Sequence, residues 1–171
     1  ASINLYLNVD KLKKDIFLNF KIPDGRGDIS KVILGNKKLF LVDETYNSNP
    51  LSLKMAIENF DKIESKKCKK YLILGDMLEL GKHSLKQHKL ISKIINKTKI
   101  YKVYVVGKYI KETFKGLKST KKAKILKNKL DIFELFNKNF KNGDYLMIKG
   151  SNSTGLNKII NNLKQRRSHA L

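Results

Sequence analysis

Three short segments of this 171-residue chain concentrate side chains that can do chemistry, and each contains glycine or proline residues that favour turns. The first, residues 43–50, offers an acidic pair, a phenol and two amides, which suit contacts to sugar hydroxyls and the orientation of a substrate. The second, 74–81, has two carboxylates that suit a cation or an amine. The third, 149–154, places an ammonium and hydroxyls before a helix, a favourable seat for an anion or a carboxylate. The residues are Asp43, Glu44, Tyr46, Asn47 and Asn49, then Asp76 and Glu79, then Lys149, Ser151 and Asn152.

The segment 43–50 also has a purely structural interpretation. Asn and Ser are good N-cap residues, and proline is favoured in the first turn of a helix. Asn49 followed by Pro50 is therefore typical of a loop that caps a helix. The residues alone leave both interpretations open.

Short apolar runs alternate with amphipathic helical patterns along most of the chain. Continuous apolar strands separated by helices are typical of a parallel sheet covered on both faces, in which ligands bind beyond the carboxyl ends of the strands. We therefore predict an α/β fold with a Rossmann-like, mostly parallel sheet, and each of the three segments follows a predicted strand. The predicted strands are 28–34, 39–43, 71–74, 100–106, 125–126 and 145–148, and the predicted helices are 51–63, 85–95, 109–117, 130–140 and 156–163.

The beginning of the chain has a different pattern. Apolar residues recur at helical intervals over residues 1–22, and a cluster of breakers at 23–25 ends this stretch. The next two predicted strands are joined by Gly35-Asn36, a tight-turn dipeptide. They therefore predict an N-terminal β-hairpin.

Composition excludes several classes of protein. With 41% hydrophobic residues the chain is not a disordered polybasic tail, and it has neither an apolar run of membrane length nor a signal-peptide pattern, so we expect a soluble, intracellular protein. The single cysteine, Cys68, excludes an internal disulfide and a Cys-rich zinc site, and we interpret it as incidental. His83 and His88 lack metal-ligand spacing; we expect both at the surface and predict no metal site.

The net charge of +22 attracts polyanions whatever its origin. However, only three of the 37 basic residues are arginines (Arg26, Arg166 and Arg167), and nucleic-acid readers rely on arginine for bidentate contacts. We therefore interpret the lysines as a surface bias and predict no specific nucleic-acid partner. A basic α/β nucleic-acid-binding module and a stand-alone nucleotide-binding protein are the alternatives, although the chain contains neither a Walker A loop nor a GxGxxG motif.

Taken together, the motifs resemble the carboxy-terminal domain of the Mur ligases, in the branch that adds D-alanyl-D-alanine to UDP-N-acetylmuramoyl-tripeptide. That branch carries Gly-Arg, a hairpin, an acidic pair followed by x-Tyr-Asn-Ala-Asn-Pro, then Leu-Gly-Asp-Met-x-Glu-Leu-Gly and finally Lys-Gly-Ser. Glu44 stands where Asp is common, Ser48 where Ala is usual and Asn152 where Arg is frequent. The resemblance covers nearly the whole chain, and the matching residues appear in the same order as 25–26, 43–50, 74–81 and 149–152.

The resemblance implies a role for each matched residue. Arg26 resembles the arginine that meets the ATP phosphates when the domain closes, and it is the candidate catalytic residue. Either Asp43 or Glu44 corresponds to the contact with the ATP ribose. The other matches are Tyr46, Asn47 and Asn49 on the ATP and dipeptide side of the cleft, Asp76 and Glu79 in a substrate-binding or structural segment, and Lys149, Ser151 and Asn152 near the carboxylate of the incoming amino acid.

The resemblance also implies an activity. Family members have three domains, so residues 23–171 would be the third and residues 1–22 the end of the central one. In the implied reaction the tripeptide carboxylate takes the γ-phosphoryl group of ATP, with Mg²⁺, and the amine of D-Ala-D-Ala attacks the acyl phosphate. The phosphate loop, the metal ligands and the UDP-sugar site are expected in the other two domains, so this chain should not ligate alone. We expect the enzyme to be a cytoplasmic monomer.

Overall fold

A six-stranded sheet forms the middle layer of the part of the chain that this computed structural model describes, residues 24–165 without residues 35 and 66. The predicted helix over residues 1–22 lies outside this part. In chain order the elements are β1 (Asp28–Leu34), β2 (Lys37–Glu44), α1 (Pro50–Lys62), β3 (Lys70–Leu74), α2 (Ser84–Ile95), β4 (Lys102–Val105), α3 (Lys111–Lys115), β5 (Lys122–Ile125), α4 (Asp131–Lys138), β6 (Tyr145–Lys149) and α5 (Leu156–Gln165).

The strand order in the sheet is β1-β2-β6-β3-β4-β5. β1 and β2 form an antiparallel hairpin whose register runs from the Asp28–Asp43 pair to the Leu34–Lys37 pair. The pairs β2–β6, β6–β3, β3–β4 and β4–β5 are all parallel. The predicted α/β fold with a mostly parallel sheet and an N-terminal hairpin is therefore confirmed.

Helices cover both faces of the sheet because successive strand residues point to opposite sides. In β3, Leu72 and Leu74 belong to the core under α1 and α2, whereas Tyr71 and Ile73 belong to the core under α4 and α5. All five residues of β3 are buried, as expected for a central parallel strand. No helix of the described part is long and apolar enough to cross a bilayer.

Most elements have bounds that differ from the prediction by one or two residues, and the differences are largest for β5 and α3. β5 covers 122–125 instead of 125–126, because it is an edge strand of alternating lysines and its apolar signal is weak. α3 covers only 111–115, compared with 109–117 in the prediction. The N–H groups of residues 108–110, just before α3, donate to a carboxylate from another loop.

Candidate functional site

The three chemistry-bearing segments meet at the carboxyl ends of β2, β6 and β3, which are neighbours in the sheet. The chain leaves β2 and β3 for α1 and α2 on one face, whereas it leaves β6 for α5 on the other face. Such a switch of direction opens a crevice between adjacent strands, where α/β proteins bind ligands. The Gly75 N–H donates to the Lys149 carbonyl at 2.8 Å, which joins two of the segments directly.

Lys149 lies beneath the first segment with its side chain only 2% exposed. Its ammonium donates to the Asn47 carbonyl at 2.8 Å and lies 3.3 Å from Oε2 of Glu44. Burial lowers the pKa of Lys149, and the neighbouring Glu44 carboxylate opposes that shift. In this arrangement the ammonium holds the protein's own loop in place.

The Asp43 carboxylate is 3% exposed and both of its oxygens have partners. Oδ1 accepts hydrogen bonds from the Thr45 N–H at 3.1 Å and the Thr45 hydroxyl at 2.7 Å. Oδ2 lies 3.1 Å from the Lys164 ammonium, which also contacts Asp28 at 3.0 Å. Burial lowers the pKa of Lys164, but the hydrogen bonds to Asp28 and Asp43 outweigh it, so this pKa is raised overall. Asp43 therefore anchors α5 to the hairpin.

Arg26 and Tyr46 form an exposed stacked pair beside this loop. The guanidinium carbon lies 4.2 Å from the centroid of the Tyr46 ring, and Tyr46 is 48% exposed. The pair depends on a glycine at position 25 for two reasons. The backbone φ of Gly25 is 80°, and a Cβ atom there would lie only 2.8 Å from the Tyr46 backbone nitrogen. Arg26 is exposed and makes no hydrogen bond or ion pair with another described residue, so its N–H groups are open to a ligand.

The amide side chains of the first segment have different roles. Asn49 is the N-cap of α1 and forms a capping box with Ser52. Pro50, the next residue, is the first residue of the helix. The helix-capping interpretation of Asn49 is therefore confirmed. Asn47 is exposed, and its Oδ1 accepts the Ser48 N–H at 2.7 Å. The Ser48 hydroxyl is buried and has no hydrogen-bond partner in the described part of the chain.

Asp76, at the start of the second segment, organises the loop that follows β4. Its carboxylate accepts backbone N–H groups from Lys108 at 2.9 Å, Tyr109 at 2.9 Å and Ile110 at 2.7 Å. A side chain at Gly107 would come within 2.6 Å of that carboxylate. Glu79 is exposed, with a φ of 66°.

His88 is fully buried, so the prediction that it lies at the surface is wrong; His83 is exposed as predicted. Nε2 of His88 accepts the Met77 N–H at 3.0 Å, so Nδ1, at 2.8 Å from the Ser84 carbonyl, carries the proton. The neutral ring thus ties α2 to the second segment, and the sequence gives no sign of this because the partner is a backbone N–H.

Ser151 connects all three segments. Its hydroxyl donates to the Ser48 carbonyl at 3.3 Å and accepts the Leu78 N–H at 2.9 Å, while its own N–H donates to the Asp76 carbonyl at 3.0 Å. Asn152 is exposed, and its Oδ1 accepts from the Asn157 side chain at 2.7 Å.

The site therefore has two layers. Buried residues that position the loops lie underneath: Asp43, Asp76, Lys149 and Ser151. A cavity of about 250 Å³ opens beside them, and its lining includes Gly107, Lys129 and Thr154, of which sequence reasoning did not single out Lys129. Among the described residues, no group of three or more His, Cys, Asp or Glu side chains could hold a metal ion. Glu44 is partly exposed, and the exposed candidate residues are Arg26, Tyr46, Asn47, Asn49, Glu79 and Asn152.

The sequence of this chain is similar to those of curated ligases. The chain is 31% identical over 160 residues to a UDP-N-acetylmuramoyl-tripeptide–D-alanyl-D-alanine ligase of Rickettsia prowazekii, covering 90% of this chain and 34% of that protein. A Bacillus subtilis ligase of the same name is 32% identical over 136 residues, covering 78% and 30% respectively. This chain thus spans about a third of the length of the curated relatives it matches.

Solved structures show the same fold. The MurF ligase from Thermotoga maritima in complex with ADP matches with a TM-score of 0.67 at 23% identity, covering 90% of this chain and 33% of that one. A MurF from Acinetobacter baumannii matches with a TM-score of 0.66 at 20% identity, covering 85% and 31%. The family model "Mur ligase, glutamate ligase domain" matches residues 31–152, which include five of the six strands entirely. The chain therefore belongs to the Mur ligase family, through its glutamate ligase domain.

Proposed function

We propose that this chain is the carboxy-terminal domain of an ATP-dependent ligase that joins D-Ala-D-Ala to UDP-N-acetylmuramoyl-tripeptide during peptidoglycan precursor synthesis in the cytoplasm. The names of its curated relatives and the family match support this activity. The observation that carries the proposal is the solvent-facing Arg26 guanidinium, stacked on Tyr46 at the ligand-binding edge of the sheet. The active enzyme is proposed to be a monomer.

Arg26 is the proposed catalytic residue of this domain. Stacking on Tyr46 holds the guanidinium plane while leaving its N–H groups free to pair with phosphate oxygens. When the domain closes on ATP, this fork would neutralise charge that builds on the transferring phosphoryl group. A lysine there would supply only a point charge.

Glu44 is the proposed ribose contact, in preference to Asp43. Both oxygens of Asp43 are taken by Thr45 and Lys164 within the protein. Glu44 is partly exposed, and among the described residues its Oε2 pairs with Lys149 while its Oε1 has no hydrogen-bond partner. Its other oxygen can therefore accept a sugar hydroxyl, with Tyr46 and Asn47 beside it on the same loop.

The dipeptide is proposed to lie near the crevice cavity. Lys129 and Thr154 bring an ammonium and a hydroxyl to that cavity, and the exposed amide of Asn152 lies on the adjoining turn. An ammonium and an amide suit the carboxylate of D-Ala-D-Ala. Asn49, Asp76, Lys149 and Ser151 then position the loops, since their side chains are engaged by the protein itself.

ATP would supply the phosphoryl group that activates the tripeptide carboxylate, and Mg²⁺ would accompany it with ligands outside the described residues. The amine of D-Ala-D-Ala then displaces phosphate to form the amide bond. Residues of this chain bind and orient: Arg26 the phosphates, Glu44 the ribose, and the crevice the dipeptide carboxylate.

The test measures ADP formation by the complete polypeptide of the source gene, with UDP-N-acetylmuramoyl-tripeptide, ATP and Mg²⁺. We expect ADP formation that requires D-Ala-D-Ala, and no turnover by the 171-residue chain alone. Arg26→Ala should lower kcat/KM by about 10²-fold, by analogy with the removal of one charge-stabilising donor. Arg26→Lys should restore only part of it, and Lys82→Ala, a matched loss of an exposed cation, should have no effect. No dependence on D-Ala-D-Ala would overturn the function, whereas a fully active Arg26→Ala enzyme would remove only Arg26 from the site.

A further inference from the structure

A second groove runs between α4 and the strands β3, β4 and β5. It encloses about 570 Å³, and none of its described lining residues belongs to the segments 43–50, 74–81 or 149–154. It is therefore separate from the candidate site, and a binding role for it does not depend on the proposed ligase function.

The walls of this groove are strongly basic. Two acidic side chains, Asp131 and Glu134, oppose the lysines, and Glu134 is paired with one of them at 3.8 Å. Lys124 and Lys141 make no side-chain hydrogen bond or ion pair with any described residue, so their charges are unneutralised. The six lysines that line the groove are Lys69, Lys102, Lys122, Lys124, Lys138 and Lys141.

The floor of the groove is made of tyrosine rings. Tyr104 is only 4% exposed, yet its hydroxyl has no hydrogen-bond partner among the described residues, and the ring lines the groove. The hydroxyl itself is accessible from the groove, so it is available as a hydrogen-bond donor to a ligand. At the rim, Tyr101 is 42% exposed, with the Lys69 ammonium 3.8 Å from its ring centroid. A hydrogen bond from Lys69 and the charges of nearby lysines lower the pKa of Tyr101, which reports a positive potential there.

We propose that this groove binds a phosphate-rich anion of about the size of a nucleoside triphosphate. Its volume lies in the range of small-molecule sites. Ammonium groups on flexible stems suit phosphate oxygens, and the Tyr104 hydroxyl can donate to one of them from the floor. A lipid surface is flat and cannot reach that hydroxyl. A linear polyphosphate and a nucleotide share this chemistry, and they differ in whether a ring stacks on Tyr101.

The first experiment titrates this chain with inorganic tripolyphosphate at about 150 mM salt, an ionic strength that screens exposed charges, by calorimetry. The variant Lys124→Gln/Lys141→Gln removes two unpaired charges from the groove. Lys86→Gln/Lys89→Gln removes two exposed charges from α2 and is the matched control. We expect binding that weakens at least about tenfold in the groove variant and less than about twofold in the control. Equal weakening in both variants, or no binding by the unmodified chain, would overturn the proposal.

The second experiment uses Tyr104→Phe, which keeps the buried ring and removes only the hydroxyl. Loss of a hydrogen bond to a charged group corresponds to about tenfold weaker tripolyphosphate binding. Unchanged affinity, with the fold verified by circular dichroism, would overturn the proposal. So would a bound oligo-dT strand that tripolyphosphate does not displace, since this would indicate nucleic acid.

A competition experiment, in which ATP displaces bound tripolyphosphate, then tests whether the groove binds a nucleotide or a linear polyphosphate. If Tyr101→Leu weakens ATP more than tripolyphosphate, the groove is a nucleotide site. If the variant weakens both equally or neither, it is a polyphosphate site. Both results support the proposed groove.

Discussion

Asp76→Ala removes a carboxylate that accepts three backbone N–H groups of the loop after β4. The Ile110 N–H is buried and would lose its partner without access to water, which costs about 1–3 kcal/mol. The N–H groups of Lys108 and Tyr109 are partly buried and regain some hydration, so each loss costs about 0.5–1 kcal/mol. We therefore expect the free energy of unfolding to fall by about 3 kcal/mol, and Tm to fall by about 6–12 °C for a chain of this size.

Urea unfolding followed by far-ultraviolet circular dichroism measures this change, since the chain has no tryptophan. Glu79→Gln, in the same segment, is the control because Glu79 is exposed; its free energy of unfolding should stay within about 0.5 kcal/mol of the unmodified chain. The free energy of unfolding of Asp76→Asn should lie between those of Asp76→Ala and Glu79→Gln. The amide keeps one oxygen acceptor, but its NH₂ group faces backbone N–H donors and cannot accept from them. An Asp76→Ala chain as stable as the control would refute the reasoning, because the loop would then be held by other contacts.

Three other local features can each be tested with a single substitution. Ser48→Ala should raise the free energy of unfolding by about 1 kcal/mol, measured from the urea midpoint, because it removes a buried hydroxyl that has no partner among the described residues. Lys149→Met should lower it by about 2 kcal/mol, because the Asn47 carbonyl loses its 2.8 Å hydrogen bond; faster amide exchange in residues 44–48 should accompany this. Tyr101 should ionise at lower pH than Tyr71 and Tyr104, because a hydrogen bond from Lys69 stabilises its phenolate whereas burial raises the pKa of the other two; in an ultraviolet absorbance titration, Lys69→Met should move the Tyr101 ionisation to higher pH.

The overall architecture was accessible from the sequence because each element carries its own periodic signal. The continuous apolar run of β3 is a clear example, since all of its residues are buried between two helical layers. The rule that ligands bind beyond the carboxyl ends of parallel strands then located the crevice at one end of the sheet. The bounds of the edge strand β5 were predicted less accurately, because two of its four residues are lysines and it has no continuous apolar run.

The roles of individual side chains were less accessible, because they depend on partners distant in sequence. Asp43 pairs with Lys164, 121 positions away, and only the position of α5 beside the hairpin brings them together. His88 was expected in solvent because its partner, the Met77 N–H, is a backbone group that no pattern of side chains reveals. A polar residue can contact a bound molecule or can hold the protein's own loops in place, and the burial of its side chain distinguishes the two roles.

β6 is the last strand of the sheet in chain order, yet it lies in the middle of the sheet. β6 separates β2 from β3, so during synthesis the hairpin and the β3–β5 half are made before the strand that joins them. Until residues 145–149 leave the ribosome, β2 and β3 each present an open edge that can pair with another chain. Closing the sheet requires contacts about 100 residues apart, such as Leu41 with Leu146, and so predicts slow folding. Nascent chains stalled before β6 should therefore be the form of this protein most prone to aggregate and most dependent on chaperones.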